Sequence, residues 1–199
     1  MKQVFYKSIT KNSHLYVWKL ESSVSTLLKQ IKLSSLETKT FLALKTKKRK
    51  LEFLACSLAL KNIFSDELRI QHHKSGKPFI KEVEHLSISH SHKYIAIAFG
   101  RTEIGIDIEL PQEKMLKLIP RILSEKENIA FLKNPSTEQA CKLWGTKESI
   151  LKYIGDKNLD YRNDIRITGN SNLYFDQEFE VKFEKIEKMI LTYVMLKTD

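Results

Sequence analysis

The chain has 199 residues, 42% hydrophobic and 29% charged, which suits one sizeable globular domain or two half-domains sharing a core. No run of about eighteen apolar residues occurs, which excludes a membrane-spanning helix. The start, MKQVFYKSITKNSHLY, lacks the apolar stretch and cleavage site of a secretory signal, so a cytoplasmic location is expected. The formal net charge of +10 points to an anionic partner: nucleic acid, acidic membrane, a phosphate-bearing small molecule or an acidic protein.

The densest basic run is KTKKRK at 45–50, for which a solvated helix face is the plain explanation. No zinc-finger spacing, aromatic RNA-reading motif or continuous basic arm accompanies it, which leaves nucleic-acid binding a minor alternative. Cys56 and Cys141 lack CxxC spacing and read as reduced packing residues.

In chain order, short apolar stretches at 5–6 and 15–19 predict strands joined by a turn at 11–13, and 22–32 predicts a short helix. A longer helical pattern runs from 35 to about 64, with Leu51, Leu54, Ala55 and Leu58 at i, i+3, i+4, i+7. Residues 67–71 read as a strand, followed by His73-Lys74-Ser75-Gly76-Lys77-Pro78, whose Gly and Pro mark a turn that presents Lys77. Residues 86–90 and 94–99 are strands, the second apolar on both faces as a central strand is. Ser89-His90-Ser91-His92 between them could ligate a metal, donate hydrogen bonds to a phosphate or simply be structural.

Residues 102–110, TEIGIDIEL, form the most informative strand. Alternation puts Ile104, Ile106 and Ile108 on one face and Gly105, Asp107 and Glu109 on the other. Two carboxylates one pleat apart, about 7 Å between Cα atoms, can converge on a divalent cation, and the glycine lets something approach the backbone closely. A solvated edge strand is the bland alternative. Pro111 and Pro120 bound a polar connection, after which 124–132 and 136–154 read as helices, Ser136 supplying an N-cap. In the second helix Leu143, Ile150, Leu151 and Ile154 cluster on one side, and Trp144, Glu148 and Lys152 line an adjoining stripe. Glu148 and Lys152 have the spacing of an ordinary helix ion pair. Lys147 falls toward the apolar side, where its stem must pack and its head must reach a partner. Strands follow near 164–168, 178–183 and 189–196. Each side of Gly100 carries a long helix and several strands, so the expected fold is α+β with two similar halves, 1–100 and 101–199, related by a pseudo-twofold, and an active site between them.

Together, GKP at 76–78, SHS at 89–91, GIDIE at 105–109 and WGTKESILK at 144–152 closely resemble the phosphopantetheinyl transferases of the surfactin-synthetase-activating type, over roughly 36–155. The resemblance implies transfer of the phosphopantetheine arm of coenzyme A to a serine of an acyl or peptidyl carrier protein, with release of adenosine 3′,5′-bisphosphate. It implies a magnesium ion held by Asp107, Glu109 and Glu148. It also implies that Lys152 contacts the coenzyme A phosphates, that Ser89 and His90 bind its phosphates, and that Lys77 and Pro78 lie against its adenine end. Glu148, directly or through a water, and Lys152 would be the catalytic pair. The implied partner is an acidic apo carrier protein, and the implied state a monomer. Where the family usually carries Gly-Arg after a Glu-Phe-Leu-like run this chain has Cys56-Ser57, and Leu51 stands where many members have arginine, with Arg49 and Lys50 just upstream. A non-catalytic binder of coenzyme A or a carrier protein is the competing reading, though it has no need of all three carboxylates.

Overall fold

The computed structural model describes residues 1–64, 70–73, 76–156, 158–168 and 172–197. Strands β1 (Lys2–Thr10) and β2 (Ser13–Lys19) form a hairpin. Three helices follow, α1 (Val24–Gln30), α2 (Ser35–Ala43) and α3 (Lys47–Ile63), then the short strands β3 (Gln71–His72) and β4 (Pro78–Phe79). After β5 (His85–Ser91), β6 (Tyr94–Gly100) and β7 (Gly105–Glu109) come helices α4 (Glu113–Ile122), α5 (Glu125–Leu132) and α6 (Thr137–Ile154). Strands β8 (Ile165–Ile167), β9 (Asn172–Tyr174), β10 (Gln177–Ile186) and β11 (Met189–Leu196) complete the order.

Two antiparallel sheets result, ordered β1-β2-β6-β5 and β7-β11-β10-β9-β8, beside the two-stranded β3-β4. Period-two alternation divides the first sheet's side chains between two cores. Trp18, Ile95 and Ile97 meet Leu27, Leu54 and Leu58 of the α1–α3 layer. Leu15, Val17, Ala96 and Ala98 on the opposite face meet Ile104, just before β7, and Ile106, Ile108, Leu191 and Tyr193 of the second sheet. The second sheet's other face is covered by helices, with Ile190 packed among Met115, Ile119 and Cys141, and Val194 packed against Ile150.

Several sequence expectations change here. The single pattern over 35–64 is two helices, because Ser34 forms a capping box with Glu37 and Thr46 caps a new start by accepting from the Arg49 amide. The strand expected at 67–71 lies mostly outside the described residues. The polar connection between Pro111 and Pro120 is instead helix α4, which buries Met115 and Ile119 and holds Pro120 inside its last turns. Pro120 forgoes the bond its amide would have made to the Leu116 carbonyl, and the burial of Met115 and Ile119 at i, i+4 outweighs that loss.

Helix α6 also presents a different face from the one its leucines suggest. Its buried residues are Ala140, Cys141, Gly145, Thr146, Lys147, Ser149 and Ile150, while Leu143, Leu151 and Ile154 are half-buried. Close approach explains this. A Cβ on Gly145 would lie 2.4 Å from Thr192 Oγ1, and one on Gly105 would lie 1.9 Å from the Ser149 carbonyl oxygen. Small residues at the crossing bring α6 directly onto β7 and β11, and what approaches the Gly105 backbone is this helix.

Candidate active site

Strands β5 and β7 are the facing edges of the two sheets, and side chains join them. The Ser87 hydroxyl accepts from the Ile106 amide (3.2 Å), and that of Ser89 accepts from the Ile108 amide (3.2 Å). Ser89 donates to Asp107 Oδ1 (2.8 Å), and Ser91 donates to Glu109 Oε2 (2.7 Å). Serines at every second position put three hydroxyls on one face of β5, so the edge strand β7 has its outward amides paired and its two carboxylates held. The acidic face of β7 is therefore not solvated: Asp107 is 4% exposed, and α6 lies over it.

Helix α6 adds Glu148 and Lys152. Its N-terminus is fixed by Ser136, which accepts from the Gln139 amide, and its end by Gly155, left-handed at φ 76°, whose amide reaches the Leu151 carbonyl. Lys152 Nζ reaches across to Asp107 Oδ1 (2.7 Å) and Ser89 Oγ (3.0 Å). Its ion pair is thus with β7 and not the in-helix pairing with Glu148 that the i, i+4 spacing suggests. Glu148 Oε1 instead accepts from the Tyr161 hydroxyl (2.6 Å).

The site concentrates negative charge in a poorly solvated place. Burial, and then the neighbouring Asp107 carboxylate, raise the pKa of Glu109 and likewise that of Glu148. Asp107 Oδ2 is buried with no hydrogen-bond partner among the described residues, the kind of acceptor a cation satisfies. Among those residues no three acidic, His or Cys side chains converge into a ready-made metal cage. Oxygen donors of this kind nevertheless fit a magnesium ion, which is commonly held by one or two carboxylates together with substrate phosphates and water.

Of the other expected site residues, Lys77 and Pro78 line, with Lys152, a cleft of about 220 Å³ bordered by the turn at 76–78, β5 and the end of α6, and Ser89 and His90 are not among its lining residues. The turn does not simply present Lys77 to solvent. Its ammonium bonds Glu103 and donates to the Tyr153 carbonyl (2.7 Å), and its stem lies beside Gly155. Ser89 is buried with its hydroxyl engaged as described, while His90, on the opposite face of β5, is exposed with Nδ1 3.4 Å from Glu52 Oε1. Glu52, itself buried, also pairs with Arg49 and Lys48 of α3. A larger cavity of about 620 Å³ lies away from these groups, against β10 and β11.

Sequence reasoning flagged Lys147 without finding its partner. It is fully buried, bonds both carboxylate oxygens of Glu127 (2.9 and 3.1 Å), and also donates to the carbonyls of Tyr161 and Ile165. The anomaly of a lysine on an apolar face was the available signal. Nothing in the sequence marked Tyr161, which reaches Glu148 only through the turn after α6.

Comparison with known proteins supplies the remaining observation. Residues 103–191 match the 4′-phosphopantetheinyl transferase superfamily. The chain is 32% identical over 97 residues to "4′-phosphopantetheinyl transferase gsp" of Aneurinibacillus migulanus, covering 47% of this chain and 41% of that protein. It is 34% identical over 94 residues to "4′-phosphopantetheinyl transferase Sfp" of Bacillus subtilis (strain 168), covering 45% and 42% respectively. The matched stretch thus spans about two fifths of each relative's length. Strand β7 and helix α6, which carry Asp107, Glu109, Glu148 and Lys152, both fall inside the segment 103–191, and over that segment the chain is similar to the 4′-phosphopantetheinyl transferase superfamily.

Proposed function

We propose that this protein transfers the 4′-phosphopantetheine arm of coenzyme A to a serine of an apo carrier protein, with a magnesium ion held by Asp107, Glu109 and Glu148. The observation that carries this reading is Lys152 bonded to Asp107, with Glu109 and Glu148 within reach of its charge, beside the 76–78 cleft and within a segment similar to this superfamily. In this reading the halves 1–100 and 101–199 are related units, and the site lies along the β5–β7 seam between them.

When bound, the ion supplies charge neutralisation at the pyrophosphate. The chain's own residues account for the rest. Burial makes Glu148 more basic than an ordinary carboxylate, which suits it to take the proton of the carrier serine, directly or through a water. The serine oxygen forms a bond to the phosphorus next to the pantetheine arm, the bond from that phosphorus to the bridging oxygen breaks, and adenosine 3′,5′-bisphosphate leaves. Lys152 shifts from Asp107 to the charge developing on the leaving phosphate. Lys77 and Pro78 border the adenine end. His90 and, through Lys152, Ser89 serve the phosphates.

The carrier is expected to be acidic. Burial, and then Lys114, Lys48 and Lys188, lower the pKa of His92 at the β5–β6 turn, so the charges of these ammonium groups are felt at that turn. Such positive charge steers an anionic protein toward the site. The test is to incubate the protein with coenzyme A, magnesium and fatty-acid, polyketide and peptide-synthesis apo carriers, then weigh each carrier. A gain of one phosphopantetheine on at least one carrier is expected. Coenzyme A binding with no carrier modified would favour the non-catalytic binder.

A further inference from the structure

We infer that Tyr161 is a positioning residue for Glu148, held in place by the buried Lys147–Glu127 pair. The inference rests on the reading of Glu148 given above and extends it to a segment outside the signature helix.

The geometry forms a continuous chain of contacts. The Tyr161 hydroxyl donates to Glu148 Oε1 at 2.6 Å, while its ring stacks on Trp144 with centroids 6.3 Å apart and planes inclined by 20°. Trp144 precedes Glu148 by four residues, so the phenol is braced by one turn of α6 and bonds the next. The backbone of Tyr161 is fixed as well, because its carbonyl accepts from Lys147 Nζ at 2.6 Å. That ammonium also donates to the Ile165 carbonyl (2.7 Å) and to both oxygens of Glu127. Glu127 in turn accepts from the amides of Ile167 (2.6 Å) and Ser124 (2.7 Å).

Lys147 and Glu127 are both at least nine-tenths buried, and a buried pair whose remaining valences are filled this completely is rigid. It ties α5, α6 and the turn leading to β8 into one unit. A carboxylate with one oxygen occupied by a fixed phenol has a single orientation, which leaves its second oxygen for the reaction. The consecutive positions Lys147 and Glu148 thus divide the work: the first anchors the turn that bears Tyr161, and the second receives the hydroxyl.

The experiment compares native protein, Tyr161→Phe and Glu148→Gln in carrier modification, in Mn²⁺ binding followed by electron paramagnetic resonance, and in melting temperature. Tyr161→Phe keeps the ring and its stacking. It is expected to lower kcat about 10- to 100-fold, in the range of a lost orienting contact, with KM for coenzyme A within about twofold of native and Mn²⁺ affinity several-fold weaker. Native kcat and Mn²⁺ affinity in Tyr161→Phe, with Glu148→Gln inactive, would overturn the inference and leave the proposed function standing. A lowered melting temperature with native kcat would also overturn it, since the hydroxyl would then matter to stability alone. Full activity in Glu148→Gln would remove the reading of Glu148 and the inference with it.

Discussion

Lys152 Nζ lies 2.7 Å from Asp107 Oδ1, joining the signature helix to the acidic strand across the β5–β7 seam. In the absence of substrate phosphates this ammonium answers part of the charge of the acidic cluster. Lys152→Ala therefore leaves the buried Asp107 carboxylate without its cation, at a stability cost of up to about 3 kcal/mol. Turnover should fall by roughly 10²–10³-fold if the same ammonium meets the leaving phosphate. Parallel melting and steady-state kinetics check this, and near-native kcat would exclude Lys152 from the chemistry.

Glu148 predicts a pH dependence. Its folded pKa is raised, by burial first and by Asp107 second, so between the unfolded value and the raised one the folded state binds more protons. Stability from this group is complete below the unfolded value and is lost as pH rises through the folded one. In chelator, Glu148→Gln, which can still accept from Tyr161, should melt at or above the native temperature at pH 8. The difference should vanish near pH 4. A variant that melts lower at pH 8 would contradict the account of a destabilising buried charge.

The close crossing of α6 on β7 gives a packing prediction. A methyl at Gly105 would sit 1.9 Å from the Ser149 carbonyl oxygen, a backbone atom that cannot rotate aside. Gly105→Ala should destabilise the protein by at least the roughly 1–3 kcal/mol usual for overpacking, read as the change in urea midpoint at unchanged m. An unchanged midpoint would mean that the helix is not seated on this strand.

The basic rim gives a prediction about salt. Lys48, Lys114 and Lys188 neighbour the β5–β6 turn, and interactions among exposed charges are screened over about 8 Å at physiological ionic strength. Raising salt should lower the carrier-dependent rate more steeply than it weakens coenzyme A binding. Equal sensitivity of the two would argue against an acidic carrier docking on this rim.

What the sequence made legible follows from range. Alternation in 102–110 correctly separated the isoleucine face from the carboxylate face, because a pleat depends only on neighbouring residues. It could not reveal that the carboxylate face is covered by α6, since that depends on Gly145 and Gly105 meeting Thr192 and the Ser149 carbonyl. The leucines of α6 misdirected the helical reading for the same reason, close contact favouring small residues over large ones. Lys147 was visible as an anomaly of position, but its partner Glu127 belongs to another helix. Helix α4 was read as a connection because Pro120 was weighed as a breaker, when burial of Met115 and Ile119 outweighs the one hydrogen bond it removes. The face a residue takes within one strand was therefore readable, and the pairings of Lys152 with Asp107 and of Tyr161 with Glu148 were not.

The most direct test of the central claim measures two products together. An apo carrier, coenzyme A and magnesium are incubated with native protein or Glu148→Gln, the carrier is weighed intact, and adenosine 3′,5′-bisphosphate is quantified in the same sample. The account predicts one nucleotide released per phosphopantetheine gained with native protein, both abolished by chelator and by Glu148→Gln. Carriers of unchanged mass, or a mass gain without stoichiometric release of the bisphosphate, would contradict it.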